Sequence, residues 1–154
     1  MLKKYYLAYG SNLNLMYMQK RCTSSKPIKD STLKNFRLAY KGSADGFAYL
    51  TIEPAIDFQV PLGVFELSYK DIKRLDLYEG YPHLYEKAYS PLQIDSKEKE
   101  ALIYIMQERF TYHLPSKEYI EICKKGYEDF GFDTIYLDDA LDYTINQMKK
   151  TLKR

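Results

Sequence analysis

Short β-forming runs recur along this chain, and helices fall among and after them rather than alternating with them one for one. Strict alternation would give a doubly wound parallel sheet; strands in succession, with two helices last, point to an α+β fold, a mostly antiparallel sheet or small barrel with packed helices. Residues 3–9 read as the first strand, with Tyr5, Leu7 and Tyr9 on one face and Tyr6 and Ala8 on the other. Gly10-Ser11-Asn12 turns the chain into a short helix over 14–22. Thr32–Tyr40, Phe47–Ile52 and Val60–Leu67 read as three further strands, the last two rich in β-formers and bounded by Gly or Pro. Ser68-Tyr69-Lys70-Asp71 is a capping-box variant opening a helix over 69–79, and Gly80 ends it. Leu84–Ile94 and Ala101–Gln107 read as a hairpin joined around Ser96-Lys97. Pro115-Ser116 opens a helix over 116–129. Asp138-Asp139 opens the last, which runs to a solvated basic end at Lys149, Lys150, Lys153 and Arg154. With no Gly/Ser/Pro linker, residues 1–154 read as a single domain.

Composition removes several function classes. Lys+Arg is 23 against Asp+Glu 21, too balanced for a nucleic-acid backbone binder. The longest apolar stretches are short, as at Tyr5–Tyr9, so no segment spans a bilayer. Two cysteines, Cys22 and Cys123, form no disulfide framework and fit a reducing cytoplasm. No Cys/His spacing makes a metal site. Tyrosine is the outlier at 17, a side chain that pairs an apolar ring with a polar hydroxyl suited to a polar pocket.

Two places carry chemistry. In Tyr9-Gly10-Ser11-Asn12-Leu13 a strand gives way to a helix; Gly10 permits a turn with φ > 0, and successive backbone N–H groups there can converge on a carboxylate or an oxyanion. In the helix over 69–79, Ile72, Leu75 and Glu79 share a face, so the Glu79 carboxylate leans over an apolar neighbour in the last turn; burial and the helix dipole both raise its pKa. On position alone the plainer readings are favoured, a turn capped by Ser11 or Asn12 and a solvated glutamate at a frayed helix end. Asp76 lies on another helix face and is expected to meet water. A weaker pairing sets Cys22 and His83 as a thiol nucleophile and its base.

Taken together, the pieces resemble the γ-glutamylcyclotransferase family, also called AIG2-like. The matches are Tyr9-Gly10-Ser11-Asn12-Leu13 after the first strand; Val60-x-x-Gly63-Val64 followed by Leu67; Leu75-Asp76-x-x-Glu79-Gly80 followed by Tyr85; and Pro115-Ser116 with Tyr119, then Gly126-Tyr127 and Gly131. They occur in the family's order over almost the whole chain. The resemblance implies a small mixed β-barrel with helices around it. It makes Glu79 the catalytic acid/base and the Tyr9, Gly10, Ser11, Asn12, Leu13 loop the substrate-binding loop, with Tyr85 and Tyr119 flanking the substrate. It implies a cytoplasmic, cofactor-free and metal-independent enzyme on a small γ-glutamyl substrate, with no nucleic-acid or membrane partner, releasing 5-oxoproline and an amino acid or amine. The Gly-Ser-Asn-Leu loop differs from the Gly-Ser-Leu of the glutathione-specific branch, which points away from glutathione. The competing expectation is a non-catalytic module that binds or senses a small carboxylate on the same fold.

Overall fold

The computed structural model describes residues 3–43 and 46–152. Its elements are β1 (Lys4–Ala8), a one-turn 3-10 helix (Ser11–Leu13), α1 (Leu15–Arg21), β2 (Lys26–Ser43), β3 (Phe47–Leu67), α2 (Tyr69–Tyr78), β4 (Tyr85–Ile94), β5 (Lys97–Met106), β6 (Thr111–Tyr112), α3 (Lys117–Asp129) and α4 (Ile135–Leu152). The strands form one curled sheet, a half-barrel in the order β4-β5-β1-β3-β2-β6. Neighbours run antiparallel except β1 and β5, which are parallel, with Tyr5 opposite Ala101. The mixed α+β class follows the sequence reading.

β1 is first in the chain but central in the sheet. Tyr6, Leu7 and Ala8 are all buried, because the strand is covered on both faces. The expected strands Phe47–Ile52 and Val60–Leu67 are one continuous strand, β3, running through 53–59 against an equally extended β2. The joining stretch from Pro54 to Gln59 is largely solvent-exposed, so it carries no buried face to betray a strand. Register shifts between Lys34 and Phe36, with Asn35 and Asp57 at positive φ and the Asp57 N–H bonded to Asn35 Oδ1 (3.2 Å), bend the ribbon without breaking it.

The hairpin β4–β5 turns at Asp95-Ser96, both at positive φ, and β5 begins at Lys97 rather than at Ala101. β6, only two residues long, lay below the reach of periodicity. α4 begins at Ile135, ahead of Asp138, because Asp133 Oδ1 accepts the Ile135 N–H (2.9 Å) and starts the helix one turn early. Lys149 and Lys150 sit exposed in its last turn; Lys153 and Arg154 lie outside the described residues.

α2 has the expected ends. Ser68 Oγ accepts the Asp71 N–H (3.1 Å) and Asp71 Oδ2 accepts the Ser68 N–H (3.2 Å). At its other end the Gly80 N–H reaches the Leu77 carbonyl and the Tyr81 N–H the Asp76 carbonyl, with Gly80 at φ +65°, a Schellman closure that leaves Glu79 as C-cap.

α3 seats the 3-10 turn. Asn14 Nδ2 donates to the Ile122 carbonyl (3.2 Å), and the Tyr127 hydroxyl to the Tyr9 carbonyl (2.8 Å). The approach needs a glycine: a Cβ on Gly126 would stand 2.5 Å from the Asn14 nitrogen and 2.7 Å from the Leu13 carbonyl carbon. Backbone cannot swing aside as a side-chain tip can. Gly126→Ala is therefore expected to lose at least ~1–3 kcal/mol of stability in urea denaturation; an unchanged midpoint would show that α3 does not dock as described.

Candidate functional site

Glu79 is held half-buried at the end of α2, over fully buried Leu75. Burial pushes its pKa up from the ordinary 4.5 to about 7. Two weaker influences oppose that rise: the positive charge of Arg21, and a hydrogen bond from Asn12 Nδ2 to Glu79 Oε1 (3.0 Å). The same Asn12 nitrogen donates to the Tyr6 hydroxyl (2.9 Å).

Tyr9, Gly10, Ser11, Asn12, Glu79, Tyr85 and Tyr119, all singled out from the sequence, line one cleft with Tyr6, Leu50 and Tyr104. The cleft holds about 30 Å³, roughly one water molecule. A second cavity of about 230 Å³ shares Ser11, Glu79, Tyr85 and Tyr119 as walls and adds Tyr49, Tyr78 and Leu84. A ligand larger than water meets Glu79 from this larger cavity.

The tyrosines are fixed by their hydroxyls. Tyr85 donates to the Leu50 carbonyl (2.7 Å), the Leu50 N–H donates to the Tyr119 hydroxyl (3.0 Å), and Tyr9 donates to the Tyr104 carbonyl (2.6 Å). Burial raises the pKa of each phenol, so all stay neutral around the carboxylate. Tyr6 and Tyr9 both reach the cleft, although strand alternation assigns them opposite faces: β1 ends at Ala8, and Tyr9 leaves the pleat.

Several expectations need correction. Gly10 sits at φ −126°, so it does not use the left-handed region. Leu13 lines no part of the cleft; it is fully buried under Gly63 and Gly126, and its N–H is taken by the Gly10 carbonyl (3.1 Å). Asp76 does not simply face water. It is partly buried, accepting from the Tyr104 hydroxyl (2.5 Å) and the Lys87 ammonium (2.9 Å). Cys22 is fully buried, its thiol pushed up to about 12 chiefly by burial, while His83 is exposed in the loop after α2; the thiol–imidazole pairing is discarded.

Arg21 was not anticipated. Its guanidinium donates to Ser11 Oγ (3.2 Å), to Asn12 Oδ1 and to the Tyr78 hydroxyl, and lies over the Tyr78 ring at 3.5 Å. Nothing in the spacing signals this, because a basic residue in the last turn of a helix is explained by the helix dipole alone. Among the described residues no three His, Cys, Asp or Glu side chains gather as metal ligands. No helix in that range is long and apolar enough to cross a membrane.

The half-barrel with its surrounding helices is a mixed α+β fold, and at its mouth it sets one carboxylate, hydrogen-bonded by an amide, among tyrosine rings. The sequence model described as gamma-glutamyl cyclotransferase, AIG2-like, matches residues 6–124, and the chain belongs to that family. Solved structures with this fold include one titled gamma-glutamyl cyclotransferase, 21% identical over 90% of this chain and 86% of that one, TM-score 0.77. An uncharacterised protein from Homo sapiens is 23% identical over 90% and 86%, also at 0.77. An AIG2-like protein from Mus musculus is 14% identical over 78% and 84%, at 0.54. At such identities the likeness is one of fold. No match among curated proteins reaches significance.

Two outcomes test the site's physics. The folded chain holds the Glu79 proton more tightly than the unfolded chain, so this stabilisation is complete below the unfolded value near 4.5 and is lost as pH rises through about 7. Glu79→Gln abolishes that loss. Its stability relative to wild type is expected to rise between pH 5 and 8 by on the order of a few kcal/mol in urea denaturation; a gap independent of pH would show an ordinary carboxylate. Gly10→Ala places a methyl 3.5 Å from both the Leu50 Cβ and the Tyr119 hydroxyl, an ordinary contact. It is expected to fold with stability within about 1 kcal/mol of wild type in thermal denaturation.

Proposed function

We propose that the protein is a γ-glutamyl cyclotransferase that turns a γ-glutamyl amino acid or amine into 5-oxoproline and the freed amine. The observation that carries this reading is the half-buried Glu79 carboxylate, poised to gain or lose a proton near pH 7 beside the Gly10–Asn12 turn. Membership in the family supports it.

In the reaction the substrate's α-nitrogen attacks its own γ-carbonyl. The new C–N bond closes a five-membered lactam, and the old γ-amide C–N bond breaks. The α-nitrogen begins as an ammonium and ends as a lactam N–H, so it gives up two protons. The leaving nitrogen begins as an amide N–H and ends as an ammonium, so it takes two. Glu79 carries them one at a time, which requires a carboxyl whose two forms are both populated at working pH. Ring closure is intramolecular, and holding the chain folded back on itself supplies much of the rate.

The turn supplies donors. The first hydrogen bonds of the 3-10 helix are made by the N–H groups of Leu13 and Asn14. Those of Ser11 and Asn12 precede them and have no acceptor within the helix. They are assigned to the substrate's α-carboxylate or to the oxyanion that develops on the γ-carbonyl. Tyr85 and Tyr119, immobilised on Leu50, flank the substrate, and the larger cavity takes the leaving half. No cofactor is assigned. A reducing cytoplasm suits the two free, buried thiols.

Incubation with a panel of γ-glutamyl amino acids, γ-glutamylamines and glutathione is expected to release 5-oxoproline, detected by mass spectrometry. Glu79→Gln should lower the rate by at least ~10²-fold, and kcat/KM should rise with pH through about 7 as Glu79 ionises. Near-wild-type turnover by Glu79→Gln would overturn the role of Glu79. Tight binding of the panel without turnover would leave a carboxylate-binding module instead.

A further inference from the structure

Asn12 is the only side chain that hydrogen-bonds Glu79 among the described residues, and a carboxamide makes that bond in only one of its two orientations. With Nδ2 toward Glu79 it donates to a carboxylate. Turned over, it would set Oδ1 against that carboxylate, oxygen to oxygen, and lose the bond. Something must decide between the two.

Arg21 stands on the other side of the amide. One guanidinium nitrogen, Nη1, donates to Asn12 Oδ1 and to Ser11 Oγ. The other, Nη2, donates to the Tyr78 hydroxyl. The guanidinium also rests on the Tyr78 ring, with the Tyr17 ring 5.3 Å from its carbon. A guanidinium offers donors and no acceptor, so a turned-over Asn12 would face it donor to donor. We propose that Arg21 is a positioning residue for Glu79: its guanidinium locks the Asn12 carboxamide with the NH2 group toward the carboxylate, and thereby holds the base in its hydrogen-bonded, ionisable form. This rests on the role given to Glu79 above, but its test needs no substrate.

The surroundings isolate the effect. Facing Glu79 are Tyr6 from β1, Tyr9 just beyond its end, Tyr78 from α2, Tyr85 from β4, Tyr104 from β5, Tyr119 from α3, and the Cys22 thiol beside Arg21. Burial raises the pKa of each of these phenols and of the Cys22 thiol above its ordinary value, so all stay neutral through pH 9. Within that window Glu79 is the group of this set that titrates.

The experiment follows the side-chain carboxyl carbons of 13C-glutamate-labelled protein by NMR from pH 5 to 9, with Glu79 assigned by its absence in Glu79→Gln. In wild type the Asn12 side-chain NH2 resonances are expected to shift with the same midpoint as Glu79. In Arg21→Met that midpoint should rise by about one pH unit or more. Arg21→Lys, which keeps the charge but not the fork, should raise it by less and still uncouple the Asn12 resonances. In an Asn12→Ala background the shift caused by Arg21→Met should shrink to the part that the Arg21 charge exerts directly on Glu79. A Glu79 midpoint unmoved in Arg21→Met would overturn the proposal. So would a full shift persisting in Asn12→Ala, which would mean that Arg21 acts by its field alone. Should Arg21→Met fail to fold, the wild-type Asn12 resonances and Arg21→Lys decide: Asn12 signals indifferent to the Glu79 titration are incompatible with the lock. A protein that released no 5-oxoproline would still give these titrations, so the two readings fail separately.

Discussion

The hydrogen bond from Asn12 to Glu79 joins parts of the chain 67 residues apart, and the rest of the molecule is arranged around making it in a place with little water. Burial makes the ionised form of Glu79 costly, and the amide donor limits that cost without cancelling it. The balance depends on where two backbones stop. β1 must end at Ala8 so that the next residues turn across the mouth of the half-barrel, and α2 must close at Gly80 so that its C-cap points inward. The second ending is dictated by local chemistry. The first is held by α3, which presses Gly126 against the turn.

The wealth of tyrosine has a structural explanation in this geometry. Across β2 and β3, Tyr40 and Leu50 stand opposite each other but send their backbone groups outward. Tyr40 gives its N–H to the Thr144 hydroxyl and its carbonyl to the His113 N–H. Leu50 gives its N–H to Tyr119 and its carbonyl to Tyr85. β1 covers β3 only from Gly63 to Leu67, so no strand reaches Leu50 on that side. Phenol hydroxyls complete the accounting where the ladder runs out. They do so while presenting rings to the cleft, so the same side chains satisfy the sheet and dry the carboxylate.

What was legible beforehand was what short-range chemistry encodes. Ser68, Asp71 and Gly80 bracket α2, Ser116 starts α3, and the alternating runs on either side of Asp95-Ser96 make a hairpin. The ordered motifs then pointed to Glu79 and the Gly10 turn, which the fold does bring to one cleft. The misreadings share a cause. β3 is one strand across an exposed stretch because its pairing with β2, not its own pattern, keeps it extended. Asp76 is satisfied by Tyr104 and Lys87, partners from other strands that helix periodicity cannot see. A glycine at a strand–helix turn permits a positive φ, yet the conformation of Gly10 is set by the exit of β1 from the sheet. Arg21 reaches the site only because α1 folds back beside α2, a fact of packing with no trace in spacing.

The central place of β1 has a consequence for the order in which a ribosome delivers this chain. The first strand to emerge can pair with β3 once Leu67 is made, but its other edge stays open until β5 appears, and the turn beyond it has no cover until α3 follows. Tyr9 waits 95 residues for the Tyr104 carbonyl and 118 for the Tyr127 hydroxyl. Until then Glu79 lacks the walls that Tyr104 and Tyr119 give its cleft. The cleft around Glu79 is therefore completed only when the C-terminal third arrives.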